Sequence, residues 1–409
     1  MVTSPDPAAR RVPVPLDLQD LSFERGAHLL LHKALSSLRP GDELGVTGED
    51  PALVIHVTAW CRHAGHRARA AEPGDAPVRA WVTRGRADLD RWAGAERSGG
   101  SRPDQIVARP PLHWGLAPRG SLVQPGGPEL RFDLAERDRV WAEIAPSLYA
   151  HAAAAQWDPA TAVDWNTRPA LADEIEEAVV QVMTYLIENE LAALVIPARL
   201  LARVHPHFRE VLQLLAVQAA DEARHVEIFT RRAQLAGREL GTSAVGGRES
   251  LATLVAEPDF SLASFLLSVL GEGSFLNLLT FLDRHAPDPV TRQVARLARQ
   301  DEARHVAFGV AHLQHQAELD PSLQGRLRAA VERRHDALVD TAGLNQDVFD
   351  SLVTLAAGQW TPQAIGRGYD EVQKLQAEMD EGRQHRLIRL GFPAGEAEDI
   401  SALHTRNFM

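Results

Sequence analysis

The sequence predicts an α+β protein: a small N-terminal α/β sandwich followed by an all-α helical bundle with extra helices. Three observations carry this. Roughly the first ninety residues alternate short strand-like and helix-like patterns, the chain beyond Asp133 shows long amphipathic periodicity, and one hexapeptide recurs in that second half. Strands repeat every two residues and helices about every 3.6, so the period separates the halves.

In the first half, Leu16 to Leu18 reads as a short strand and Gly26 to Leu38 as a helix stopped by Pro40-Gly41. Glu43 to Thr47 and Val78 to Thr83 read as strands, and Asp50 to Ala64 as a helix with Pro51 at its first position. Gly94 to Pro111 concentrates Gly, Pro, Ser and charge, which marks a linker. The expected division is 1–95 as the α/β domain, 96–132 as a linker or extended segment, and 133–409 as the bundle.

Composition bounds the function. The chain has 409 residues, 45% hydrophobic and 24% charged, enough to bury a sizeable core. A net charge of −12 with no basic block argues against nucleic acid as a partner. The single cysteine, Cys61, excludes an intramolecular disulfide and fits a reducing cytosol, so a cytoplasmic location is expected. The N-terminal MVTSPDPAARRVPVPLD lacks the apolar run of a secretory signal. SFLLSVLGEGSFLNLLTFL, Ser264 to Leu282, is long enough to span a membrane, but Glu272 sits at its middle. It reads as a helix buried on all sides, with no membrane partner.

Asp221-Glu222-Ala223-Arg224-His225-Val226 returns as Asp301-Glu302-Ala303-Arg304-His305-Val306, 80 residues on. Helical positions i and i+3 share a face, so Glu222 with His225, and Glu302 with His305, can each address one metal ion. Four-helix carboxylate proteins hold a metal pair with two such helices plus one glutamate from each of two others. Those extra glutamates are present. Antiparallel helices of about 15 contributing residues place partners roughly 30 positions apart. Glu272 lies 30 before Glu302, and Glu190 lies 32 before Glu222. Glu190 shares its face with Met183, Leu186, Ile187 and Leu194; Glu188 is the alternate ligand. Glu190 and Glu272 are also the candidates for a direct catalytic part.

Four carboxylates and two neutral imidazoles balance two divalent cations, whereas without cations they would repel or take up protons. Oxygen and imidazole donors without thiolate favour Fe or Mn. Asp221 and Asp301 are candidate acceptors for the histidines' outer N–H, from the same helix or across the pair, and Arg224 and Arg304 can neutralise them. His205 and His207 flank Pro206 in a loop, and His312 and His315 are expected at the solvent or bundle edge; for His312, seven residues after His305, the alternative is an extra ligand or a third-shell residue.

LDLQDLSFERGAHLLLHKALSSLRPGDELGVTGEDPALVIHVTAWCRHAGH resembles the small sulfur-carrier (TusA-like) proteins over residues 14 to 90. Their Cys-Pro pair is replaced by Glu24-Arg25, which removes their persulfide chemistry. The resemblance therefore implies a degenerate carrier domain, kept for docking, oligomerisation or gating, with Cys61 as a buried apolar residue. From residue 133 onward the D-E-x-R-H copies, AAAAQWDPATAVDWN and RLIRLGFPAGEAEDISALHTRNFM resemble ferritin-like di-iron oxygenases and oxidases. That resemblance implies a ferritin-like four-helix bundle in which Glu190, Glu222, His225, Glu272, Glu302 and His305 hold two Fe ions, with Mn/Fe or Mn as variants, and O2 is cosubstrate. Phe275 and Leu276 stand where monooxygenase hydroxylases carry a threonine, and Phe229 where the ribonucleotide reductase small subunit carries its radical tyrosine.

The expected activity is oxidation of a small organic substrate by hydroxylation, N-oxygenation or desaturation; a ferroxidase without organic substrate is the alternative. Met183, Leu186, Leu194, Phe229, Phe275, Leu276 and Phe308 are the expected apolar lining. No dinucleotide fingerprint is present, so a separate electron donor is expected, and a homodimer.

Overall fold

The computed structural model describes residues 15–338 and 346–404. The N-terminal 14 residues, including most of the stretch read as lacking a signal, and the last five of the closing segment lie outside the described residues. The chain forms two compact units, one from residues 1–98 and 120–128, the other from 99–119 and 129–409. The expected linker is thus shared out between the units.

The first unit runs β1 (Leu16–Asp17), α1 (Ala27–Ser36), β2 (Glu43–Thr47), α2 (Leu53–Ala64), β3 (Arg67–Ala70), β4 (Ala80–Thr83) and the short α3 (Ala87–Arg91). The strand order is β1-β2-β4-β3, with β1 parallel to β2 and the other pairs antiparallel. Leu31 and Leu35 of α1 and Leu53, Val57 and Cys61 of α2 pack on Leu44, Val46, Ala80 and Val82 of the sheet. The sequence offered no sign of β3: Arg-Ala-Arg-Ala has no apolar alternation, because it is a largely exposed edge strand. Cys61 is fully buried and burial pushes its thiol up to about 12, which suits a packing role.

The second unit is helical. Its elements are α4 (Ala145–Ala154), α5 (Asp173–Leu201), α6 (Arg209–Ala233), α7 (Val245–Ala256), α8 (Phe260–His285), α9 (Pro289–Leu319), α10 (Leu323–Leu338), α11 (Gln346–Ala357), α12 (Pro362–Arg389) and α13 (Ala394–His404). Short connections make α5 antiparallel to α6 and α8 antiparallel to α9. Asp288 caps α9 by accepting from the Thr291 N–H at 2.9 Å, with Pro289 at the first position. Buried Arg232 of α6 donates to Glu176 of α5 at 2.7 Å and to Asp288 at 2.8 Å, so one guanidinium ties three helices together. Breaking such a buried pair costs about 3–5 kcal/mol.

Helices α5 and α8 are long and apolar enough to cross a bilayer, yet 72% and 83% of their apolar windows are buried in the unit. Each also carries one site glutamate. Within α8, Phe265–Glu272 widens into π-helical turns that end on Glu272. Arg386 of α12 donates to the Val269 carbonyl in that stretch at 2.6 Å. Gly273 makes room for it, since a Cβ there would lie 2.4 Å from Arg386 Nε. Opposite, a Cβ on Gly309 would lie 2.7 Å from Ser268 Cβ, so α9 approaches α8 closely one turn beyond His305.

Candidate metal centre

Glu190 comes from α5, Glu222 and His225 from α6, Glu272 from α8, and Glu302 and His305 from α9. The fold buries all six, none more than 4% exposed. They form two groups whose donor atoms lie within 4.8 Å of one another: Glu190, Glu222, His225 and Glu302; and Glu222, Glu272, Glu302 and His305. Glu222 and Glu302 belong to both groups. Glu222 Oε2 is 3.1 Å from His225 Nδ1 and its Oε1 is 3.0 Å from His305 Nδ1. Glu302 reaches the same two nitrogens at 3.4 Å each. Glu190 is 3.5 Å from His225 Nδ1, and Glu272 is 3.9 Å from His305 Nδ1. The hexapeptide glutamates are therefore shared, and the upstream glutamates are terminal.

The donor atoms fit cations. Glu190 Oε1, Glu222 Oε1, Glu272 Oε2, both Glu302 oxygens and His305 Nδ1 are buried without a hydrogen-bond partner. Glu222 Oε1 and His305 Nδ1 are close but not aligned for a hydrogen bond. Lone pairs converging in this way lose water and gain nothing from protein, a cost a metal ion removes. Glu188 is excluded from the cluster: it accepts from the Ser243 hydroxyl at the edge of the unit.

The charges show how tightly the site is balanced. Burial pushes the Glu190 and Glu272 carboxyls well above the usual range, and neighbouring carboxylates push the same way. Burial would also raise Glu222, but His305 and His225 overcome it and hold that carboxyl low. Burial disfavours both imidazolium ions, yet Glu190 beside His225 and Glu222 beside His305 raise both histidines well above their ordinary value. Without cations, protons on these four groups are the alternative way to balance the buried carboxylates. Metal uptake would displace them.

The outer partners cross between helices. His225 Nε2 meets Asp301 at 3.2 Å, and His305 Nε2 meets Asp221 at 3.2 Å, so each hexapeptide aspartate orients the other copy's histidine. With Nε2–H donating outward, both Nδ1 atoms face the cluster. Arg224 bonds its own Asp221 and lies 3.3 Å from Asp301; Arg304 bonds its own Asp301 and lies 3.3 Å from Asp221. Two guanidinium groups and two carboxylates thus close a neutral ring around the imidazoles.

Three residues of this arrangement went unseen in the sequence. Trp157 donates its indole N–H to Asp301 at 2.8 Å and lies under Arg224, whose guanidinium is 4.9 Å from the ring centre. Gln156 donates to Asp221 at 3.2 Å, and Gln218 donates to Glu272 Oε1 at 3.0 Å. The break at Trp157-Asp158-Pro159 marked a turn and no more. A long-range donor of this kind has no local signature.

Other expectations need correction. His312 is fully buried, with Nδ1–H donating to the Trp141 carbonyl and Nε2 accepting from Ser261, each at 2.9 Å. His207 is buried too and accepts the Val107 N–H at 2.9 Å. The expectation for His312 fails because tertiary packing, not local pattern, supplies its partners. Beside the cluster lies a cavity of about 20 Å³, room for a water-sized molecule. Asn189, Glu190, Glu272 and Glu302 line it together with Phe275, Leu251, Leu254 and Leu267. Among the expected apolar lining residues only Phe275 is there, because α7 supplies a wall that the bundle pattern did not reveal.

No protein-family model matches the chain, and no curated protein matches it. Among solved structures it is similar to variants of an R2-like ligand-binding oxidase. One, with an aerobically reconstituted Mn/Fe cofactor, shows 20% identity over 61% of this chain and 94% of that chain, with a TM-score of 0.48. Another, with an Fe/Fe cofactor, shows 19% identity over the same shares, with a TM-score of 0.48.

Proposed function

We propose that the helical unit is a two-metal, O2-dependent oxidoreductase acting on a small organic substrate by hydroxylation, N-oxygenation or desaturation. One observation carries it: two donor groups share Glu222 and Glu302, and their buried lone pairs converge without hydrogen-bond partners. Glu190 and His225 would hold one ion, Glu272 and His305 the other, with Glu222 and Glu302 between them. Two irons, or Mn in place of one or both, would supply the electrons that reduce dioxygen.

The chain's own residues do the rest. Gln218 steers Glu272 by holding Oε1, which leaves Oε2 for the ion. Asp301 and Asp221 keep both imidazoles in the tautomer that presents Nδ1. Glu190, Glu272 and Glu302 face the cavity and Glu222 does not, so a molecule of about water's size entering there would meet both terminal glutamates and the shared Glu302. Phe275, Leu251, Leu254 and Leu267 exclude water from that side. The line Trp157–Asp301–His225 joins a half-buried indole to the cluster and supports a separate electron donor.

Anaerobic Fe(II) loading followed by elemental analysis should give about two ions per chain. A value under about one would sink the proposal. Oxygen uptake that depends on an added organic compound supports the oxygenase reading; uptake that tracks Fe(II) alone supports the ferroxidase. The single buried thiol supports a cytoplasmic protein, to be checked by cell fractionation. Exposed Leu191 and Val195, one turn apart on α5, support a homodimer, to be checked by light scattering. We assign residues 1–95 a degenerate carrier's docking or gating role; deleting them should leave metal content intact, and loss of metal counts against it.

A further inference from the structure

Glu272 closes the π-helical stretch Phe265–Glu272, and the next N–H, on Gly273, reaches back to the Ser268 carbonyl five residues earlier. A wide turn of this kind bonds i to i+5 where an α-helix bonds i to i+4. An α-helix turns about 100° per residue, so closing one wide turn would swing the residue at its end by up to about 100°. Swung that far, Glu272 leaves the side of α8 that faces His305 Nδ1, 3.9 Å away. Where Glu272 points therefore depends on the wide turns staying open.

Two arginines of α12 grip that stretch from outside. Arg386 Nε donates to the Val269 carbonyl at 2.6 Å. The Ser274 hydroxyl donates to the Leu270 carbonyl at 2.8 Å and accepts from Arg383 Nη1 at 3.3 Å. Side chains thus engage the carbonyls two and three residues before Glu272, and each engagement leads to an arginine of α12. Arg383 is 1% exposed and is itself fixed by its Nε donating to Ser401 Oγ at 3.0 Å.

Arg386 is placed for a carbonyl and not for a carboxylate. Among the described residues no Asp or Glu forms an ion pair with it, and its Nη2 is buried without a hydrogen-bond partner. Burial and the neighbouring Arg383 pull its guanidinium down to about 10. A cation kept there is costly, but a charged donor holds a carbonyl more strongly than a neutral one. Its seat is cut to fit. A Cβ on Gly273 of α8 would lie 2.4 Å from Arg386 Nε, and one on Gly382 of α12 would lie 3.2 Å from Nη1. A glycine on each helix therefore makes room for the guanidinium.

We infer that Arg386, backed by Arg383 through Ser274, is a positioning residue for Glu272: it keeps the wide turns of α8 open so that Glu272 reaches the His305 side of the centre. The inference rests on Glu272 being a terminal ligand of the two-metal centre proposed above. Arg386 belongs to neither donor group and acts through the backbone of α8. Its loss is felt by one ion and not by the other, which a general loss of packing would not produce.

The test is anaerobic Mn(II) titration of the full chain, with the electron paramagnetic resonance signal of free Mn(II) as readout, and crystal structures of the metal-free proteins. The parent should take up two ions. Arg386→Met should weaken one ion about 10–100-fold, the range for groups that orient a ligand, and leave the other within about twofold. Gly273→Ala should do the same, since its Cβ pushes the guanidinium aside and Ala favours a regular helix. It decides if Arg386→Met does not fold. Added to Glu272→Ala, either change should leave the remaining ion unaffected. Leu375→Ala, which truncates a buried side chain about three turns earlier on α12, should lower the melting temperature and keep the ratio of the two affinities. In the metal-free crystals, Arg386→Met and Gly273→Ala should show residues 265–272 closed to a regular α-helix.

The inference is overturned if both ions weaken together or neither does, if the remaining ion of Glu272→Ala is weakened further, or if Leu375→Ala reproduces the selective loss. Wide turns that persist in the metal-free variants overturn it whatever the titration gives. A parent that takes up under about one ion would remove the two-metal reading. The crystal structures then decide the role of Arg386 alone, closed turns keeping it and open turns ending it.

Discussion

The two halves of the centre start from one hexapeptide and end up unlike. On the His225 side the terminal carboxylate is Glu190, on a regular stretch of α5, with Oε1 unpartnered. On the His305 side it is Glu272, at the end of a π-helical stretch, with Oε1 held by Gln218. The outer acceptors differ too: Asp301 takes Trp157, while Asp221 takes Gln156. Of the shared glutamates, Glu302 lines the cavity and Glu222 does not. Identical local sequence thus supplies two Glu-His pairs, and unrelated neighbours make the two donor groups inequivalent. The site is a duplicated motif in an asymmetric cage.

The sharpest way to break this comparison is to remove glutamates one at a time. Glu222→Ala or Glu302→Ala should abolish retention of both ions, because each ligand belongs to both groups. Glu190→Ala or Glu272→Ala should leave about one ion per chain. Elemental analysis after gel filtration reads the count, and equal losses for all four variants would refute the division into shared and terminal ligands.

A pH experiment asks whether the surrounding bundle is set independently of both halves. His312 touches neither; burial lowers its imidazole from 6.5 to about 4. The unfolded chain binds that proton first as pH falls, so the stability from neutral His312 is complete above the unfolded value. It is lost between about 6.5 and 4. At roughly 1.4 kcal/mol per unit, the loss reaches about 3 kcal/mol. Urea midpoints from pH 7 to 4 should fall more steeply for the parent than for His312→Gln. Parallel curves would remove His312 as the cause.

Next come the crossed aspartates. Asp301→Asn should weaken the ion on the His225 side, and Asp221→Asn the ion on the His305 side, each by about 10–100-fold. Stepwise metal titration separates the two, and a loss on the opposite side would show that the crossing does not operate. The smallest effect belongs to Gln218→Met, which frees Glu272 Oε1 and removes one buried hydrogen bond, worth about 1 kcal/mol. It should loosen only the second ion, several-fold, by the same titration.

Much of the centre was legible because helices repeat. The i, i+3 spacing of Glu222 with His225 and of Glu302 with His305 is a property of one helix, and short loops place Glu190 and Glu272 about one helix upstream. Their burial also showed, as lone carboxylates on apolar faces. What did not show depends on pairing between distant segments. Gln156, Trp157 and Gln218 reach the site across 65, 144 and 54 positions, and polar side chains give no periodic signal of such reach. The same applies to β3, an exposed edge strand defined only by its pairing with β4, and to His312, whose partners lie 51 and 171 positions away.

By itself, then, the sequence determined the two classes of unit, the helical bundle and the six converging donor side chains, since these follow from periodicity, spacing and charge balance along single helices. Only the tertiary structure decided which glutamates are shared, that the aspartates cross, and that α7 walls the cavity. Those features are set by which side chains meet at 3 to 4 Å across helices, and local pattern does not encode that distance.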